Sequence, residues 1–125
     1  MDTSDHEPAI RVSMLPRDTN GHGTIFGGIL LAYIDHAGAI ATRAHCERVV
    51  TVKMTEVVFH QPVLVGDVVS FYATVTLIGN TSITVHVDVE AEHWNAPGKG
   101  GKVTEADIVY VNLDENRKPT PIRKG

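Results

Sequence analysis

The sequence predicts an α+β fold in which one long helix packs on one antiparallel sheet of about five strands. Two observations carry this. Residues from about Ile25 to Ala44 hold the chain's one convincing helical period, and the remainder alternates in short apolar runs punctuated by Gly, Pro and Asn turns. A single helix laid on one face of a hairpin-connected sheet is the architecture these elements permit. The length of 125 residues, with 42% hydrophobic and 21% charged, suits one globular domain spanning 1–125 with its core at about 9–113.

Taken in order, Ala9 to Leu15 reads as a short strand stopped by Pro16, and the run from Arg17 to Gly23 is a loop. In the helix, Phe26, Ile29, Leu30, Tyr33, Ile34, Ala37, Ile40 and Ala41 form one wide apolar stripe. Val49 to Phe59 is a β-branched run that ends before Pro62. After Gly66-Asp67, the residues Val69, Phe71, Ala73, Val75 and Leu77 share one face of a strand. Ile83, Val85, Val87 and Val89 do the same on the next, joined to it by a Gly79-Asn80-Thr81 hairpin turn. Asn95 to Gly101 is a loop, and Val103, Ala106, Ile108 and Tyr110 mark a last strand before an extended or frayed tail from Glu115 to Gly125. No second layer is available to cover the far side of the helix, so self-association is expected.

Composition excludes several function classes. A formal charge of −4 gives no general attraction to a phosphate backbone, so no nucleic-acid partner is expected. The lone Cys46 rules out an intrachain disulfide and the usual structural zinc spacings, which suits a reducing cytoplasm. The acidic, polar N-terminal residues lack a secretory pattern and no apolar run is long enough to span a bilayer, so a cytoplasmic chain without a membrane partner is expected. The histidines show no metal-ligand spacing, and no metal site is expected. Ser82 lacks a nucleophile elbow and Cys46 an activating signature.

Between Thr24 and Thr42 there is one formally charged residue, Asp35. At about 100° per residue it shares a face with Gly28, Leu31, Ala32, Gly38, Ala39 and Thr42, mostly small side chains that let a backbone or ligand approach. A carboxylate placed there loses hydration, which raises its pKa unless partners compensate, and a desolvated carboxylate is a competent base or nucleophile. A buried structural acid binding backbone N–H groups would satisfy the same pattern. Gly27-Gly28 opens the helix, where free N–H groups and the helix dipole can bind an anion or developing oxyanion. Seven residues, close to two turns, separate Gly28 from Asp35.

The run from Leu15 to Gly28, with its Pro-x-Asp-Thr-Asn loop (Pro16 to Asn20) and Phe26-Gly27-Gly28 helix start, is followed by Asp35-His36-Ala37-Gly38-Ala39. Together these resemble the acyl-CoA hydrolases of the hot-dog superfamily, in the branch of YciA-type bacterial thioesterases and brain-type acyl-CoA hydrolases. Arg48 to Val52, Phe59 to Val63, Val65 to Val69 and Thr81 to Ile83 extend the resemblance over most of Val12 to Val111. It implies a hot-dog fold, one long helix wrapped by a curved five- to six-stranded antiparallel sheet, with a homodimer whose sheets join edge to edge and assembly to a trimer of dimers. It also implies hydrolysis of a fatty acyl-CoA to free acid and coenzyme A, with no cofactor beyond the substrate's own coenzyme A.

By the same resemblance Asp35 attacks the thioester carbonyl or activates water, the Gly28 N–H polarises the carbonyl, and Asn20 lies in a loop at a subunit interface. Where the family often has Asp or Asn this chain has Thr24, so the second polar group falls to Thr24, His22 or Asn20. His22, Phe26, Gly27 and Ser82 are expected to line the substrate. Lys99, Lys102 and Arg43 are candidates for the coenzyme A phosphates, and Trp94 is read either as an adenine contact or as a packing residue. Two competing functions are a hot-dog hydratase or dehydratase and a non-catalytic acyl-CoA-binding protein. The first needs a His and an acid directed at the same proton, which adjacent Asp35 and His36, about 100° apart, do not give.

Overall fold

The computed structural model describes residues 6–122 and contains β1 (Ile10–Ser13), α1 (Gly27–Thr42), β2 (Val49–Met54), β3 (Val68–Ile78), β4 (Ser82–Glu92) and β5 (Gly101–Asn112). The strands form one antiparallel sheet in the order β1-β3-β4-β5-β2. The helix lies across its inner face, against β3 and β4 and, towards one edge, β5 and β2. The ends of the expected polar tails, 1–5 and 123–125, fall outside the described residues. No helix among the described residues is long and apolar enough to cross a membrane.

Alternation along β4 predicts its inner face correctly: Ile83, Val85, Val87 and Val89 are all fully buried. On β3 the prediction fails after Val75. A bulge there leaves Thr76 out of register, so Val75 pairs with Val85 but Leu77 pairs with Thr84. The extra residue reverses the facing of all that follow. Leu77 turns out to solvent, 64% exposed, and Ile78 packs against the core in its place. A second bulge, at Val103 on β5, leaves the consecutive residues Val103 and Thr104 both buried before alternation resumes at Ala106, Ile108 and Tyr110.

The run expected as a strand to Phe59 stops being regular at Met54, because a bulge at Val52 bends β2. Beyond it the chain still follows β5, tied by Thr55 N–H to the Asp107 carbonyl and by His60 N–H to that of Val103. The tail is a further correction. Asp114 Oδ1 accepts from Asn116 and Lys118 N–H, Asn112 donates to the carbonyls of Thr120 and Pro121, and Ile122 is buried. The described part of this segment is therefore folded back on the sheet.

The helix faces the sheet with Leu30, Ile34, Ala37, Gly38 and Thr42, a stripe rotated from the one its large side chains suggest. Gly38 sets this rotation: a methyl group there would overlap the Tyr110 hydroxyl, so the absent side chain lets β5 come close. The small residues thus partly serve the fold itself. Asp35 flanks one edge of the buried stripe, while Ile29, Tyr33 and Ile40 on the other edge are half-buried and Phe26 is 55% exposed.

Candidate active site

Asp35 is held at both its side chain and its backbone. Thr51 Oγ1, on the inner face of β2, donates to Asp35 Oδ1 at 2.7 Å, and Tyr110 Oη donates to the Asp35 carbonyl at 2.7 Å. Thr51 and Tyr110 are cross-strand partners, so one rung of the β2–β5 ladder supplies both contacts. Burial foremost, then the nearby Asp35 carboxylate, push the Tyr110 hydroxyl well above its usual pKa. It therefore remains a donor throughout the working pH range.

At the other end of α1 the N-cap position is Phe26, whose side chain cannot cap. Its N–H donates to the Asp18 carbonyl at 2.8 Å and its carbonyl accepts from Ile29 N–H. Among the described residues nothing accepts from the N–H groups of Gly27 or Gly28, which a helix start leaves without an intrahelical partner. The Phe26 ring lies over Gly28 and the Phe59 ring against Gly27.

The preceding loop is pinned beside this helix start. Asp18 Oδ2 accepts from Leu15 N–H, and Thr24 bridges to Leu64. Within it Asn20 Nδ2 donates to Thr24 Oγ1 at 2.8 Å while Asn20 Oδ1 accepts from His22 N–H at 2.9 Å. Thr24 therefore orients the Asn20 amide, and the His22 side chain is left exposed.

The expected site residues fall into two groups in one chain. Asn20, His22, Thr24, Phe26, Gly27 and Gly28 gather at the helix start, and Asp35 lies two turns on, about 10 Å along the axis at 1.5 Å per residue. Ser82 joins neither group: fully buried Ile83 takes the inner face of β4, and alternation sends Ser82 to the outer one. Lys102 is also on that face, 3.2 Å from Asp88 and paired with Glu105, so its charge is engaged away from the helix. Lys99 and Arg43 are exposed, and Trp94, 72% exposed, rests on Gly66.

One group among the described residues has donor atoms close enough for a metal: His86, Asp88 and Glu105, all within 4.8 Å. Lys102 already bridges both carboxylates, and His86 Nδ1 is held by Asp107 at 2.7 Å. That arrangement is a self-compensated ion-pair network on the outer sheet face.

Sequence reasoning missed Thr51, Tyr110 and Phe59. Thr51 carries no chemical signal, and only the β2 register turns it toward Asp35.

The family model of the Thioesterase superfamily matches residues 22–94, which include Thr24, the helix and Asp35. The chain belongs to the thioesterase superfamily. Among curated relatives of this superfamily member, the acyl-CoA thioester hydrolase YciA of Salmonella typhimurium is 40% identical over 98% of this chain and 97% of its own. A hexameric hotdog fold thioesterase of Campylobacter jejuni superposes with a TM-score of 0.89 at 43% identity, over 96% of this chain and 92% of that one. An acyl-CoA hydrolase from Staphylococcus aureus, solved with butyryl coenzyme A and coenzyme A, gives 0.83 at 32% identity, over 90% and 69%. The sheet and helix described above are thus the hot-dog fold of these thioesterases, and the chain is an enzyme of that class.

Proposed function

We propose that this thioesterase hydrolyses fatty acyl-CoA: water adds to the thioester carbonyl, the C–S bond breaks, and free acid and the coenzyme A thiol leave. The observation that carries the reading is Asp35, the helix's single charge, fixed by Thr51 at its carboxylate and by Tyr110 at its backbone. A carboxylate oriented in this way attacks the carbonyl or takes a proton from the attacking water. The unbonded N–H of Gly28 supplies the complementary part, a donor for the oxygen on which charge develops. No cofactor is required beyond the coenzyme A that the substrate brings.

Both groups must approach one carbonyl to about 3 Å, yet within a chain they are separated by about two helical turns. The arrangement is therefore read as shared: Asp35 of one protomer works with Gly28 and the Thr24-oriented Asn20 of its partner. The hexameric Campylobacter relative supports a homodimer that assembles to a trimer of dimers. Lys99 and Arg43 are the candidates left for the coenzyme A phosphates, since Lys102 is paired elsewhere. The test is free-thiol release from a panel of acyl-CoAs by wild type, Asp35→Ala and Asp35→Asn. Hydrolysis by wild type and a loss of at least about a hundredfold in both variants is expected. Absence of hydrolysis at every chain length would sink the reading, and full activity in both variants would remove Asp35 from it.

A further inference from the structure

The loop that carries Asn20 is anchored at both ends on one turn, at residues 63–67. At its start Met14 N–H donates to the Asp67 carbonyl at 2.9 Å, and Gly66 N–H donates to the Met14 carbonyl at 2.9 Å. At its end Thr24 bridges to Leu64, and Ile25 N–H donates to the Val63 carbonyl at 2.7 Å. Asn20 is tied to this second anchor twice, by its N–H to the Thr24 carbonyl at 3.0 Å and by its side-chain amide to Thr24 Oγ1 at 2.8 Å.

Leu64 and Val65, in the middle of the turn, are each 38% exposed, so packing within the protomer does little to shape it. Its form comes from Gly66, at a φ of +89°, and from the Asp67 carboxylate. Asp67 Oδ2 accepts from Leu64 N–H at 2.9 Å, while Asp67 N–H donates to the Leu64 carbonyl at 3.0 Å. The carboxylate is 3% exposed, and its other oxygen, Oδ1, meets His93 Nδ1 at 2.5 Å just beyond the end of β4. A buried carboxylate is costly unless hydrogen bonds satisfy it. Here both oxygens are engaged in holding the turn, and neither has a part in the reaction described above.

We infer that Asp67, clasped by His93, is a positioning residue for hydrolysis: it fixes the 63–67 turn and, through Thr24, the place at which Asn20 meets the reacting group. The inference rests on the reading of Asn20 as a site residue. A relay of bonded residues runs from Asn20 through Thr24 and Leu64 to Asp67 and His93. Of these, only Asn20 reaches the substrate. Removing the carboxylate releases Leu64 N–H and loosens the turn under both loop anchors at once. Asn20 is then misplaced without being lost.

The experiment measures kcat and KM on the acyl-CoA of the panel that wild type hydrolyses fastest. The variants are Asp67→Ala, Asp67→Asn, His93→Ala, Asn20→Ala and the double variant Asp67→Ala/Asn20→Ala, with circular dichroism and light scattering on each. Asp67→Ala should lower kcat about tenfold to a hundredfold with KM little changed, the range that a displacement of about 1 Å gives. Asp67→Asn keeps an acceptor for Leu64 N–H and a donor for His93, so it should recover most of the loss. His93→Ala should show a smaller loss of the same kind. In the double variant, Asp67→Ala should add little to the Asn20→Ala loss, because the group it positions is gone. Equal factors with and without Asn20 overturn the inference and leave the hydrolase reading intact, as does a wild-type kcat in folded Asp67→Ala. If Asp67→Ala fails to fold, the same cycle run with His93→Ala against Asn20→Ala decides in its place, and additivity there overturns the inference. Full activity in Asn20→Ala overturns it by removing Asn20 from the site. Failure of wild type to hydrolyse any acyl-CoA of the panel overturns it together with the reading beneath it.

Discussion

Asp35 was legible from the sequence because a lone carboxylate in a run of small and apolar residues contradicts a solvated helix face. What holds it was not. Thr51 is one of many threonines in the chain, and its relation to Asp35 exists only because β2 pairs with β5 in the register that sets Thr51 opposite Tyr110. Thr51→Val keeps the shape and removes the 2.7 Å hydrogen bond, so kcat should fall about tenfold with KM little changed, and Thr51→Ser should recover most of it. A parallel loss in KM would show that Thr51 binds substrate instead of positioning Asp35. Tyr110→Phe leaves the Asp35 carbonyl short of a donor inside the fold, and urea denaturation should register a loss of about 1 kcal/mol.

Elements were readable where their period ran uninterrupted, as in α1 and β4, and misread where one residue was inserted. No local feature of Val75-Thr76-Leu77 announces the bulge; the competition between β3 and β4 for a common inner face decides it, and Leu77 is displaced as a result. The contact between α1 and β5 is similarly specific. Gly38→Ala drives a methyl group into the Tyr110 hydroxyl, and an overpacked site of this kind should cost about 1–3 kcal/mol in chemical denaturation.

On the outer face of the β4–β5 ladder, burial disfavours the His86 charge, but the hydrogen bond to Asp107 and the charges of Asp88 and Asp107 outweigh it and raise its pKa. A base with a raised folded pKa stabilises fully below its unfolded value of about 6.5 and loses that contribution as pH rises through the folded value. The difference in urea midpoint between wild type and His86→Gln should accordingly shrink from pH 6 towards pH 9. A difference that is constant with pH would mean that packing, not the proton, accounts for it.

At the scale of the molecule, one protomer ends in an edge strand, β2, whose Val50 and Val52 are exposed, and it leaves Phe26 and half of Ile29, Tyr33 and Ile40 uncovered on the helix. Such an edge is a template for pairing with a second sheet. If Asp35 and Asn20 act across the interface, chains carrying only Asp35→Ala and chains carrying only Asn20→Ala should complement each other. Random mixing of the two inactive proteins by co-refolding then restores about a quarter of the sites, because half of the dimers are mixed and each holds one intact pair. No recovery, with dimers shown to have mixed by mass, would place both residues in the same chain's site.

The sequence by itself determined the element types, the inner face of β4, and the residue that carries the charge, since each follows from side-chain identity and a local period. It also determined the family, because the loop, the glycine pair and the aspartate occur in a fixed order along one segment. Tertiary structure alone decided the sheet order β1-β3-β4-β5-β2, the three bulges, the rotation of α1 about Gly38, and the placing of Thr51 and Tyr110 against Asp35. These depend on contacts between residues far apart in the chain, where packing and register choose among arrangements that local sequence leaves nearly equal in energy.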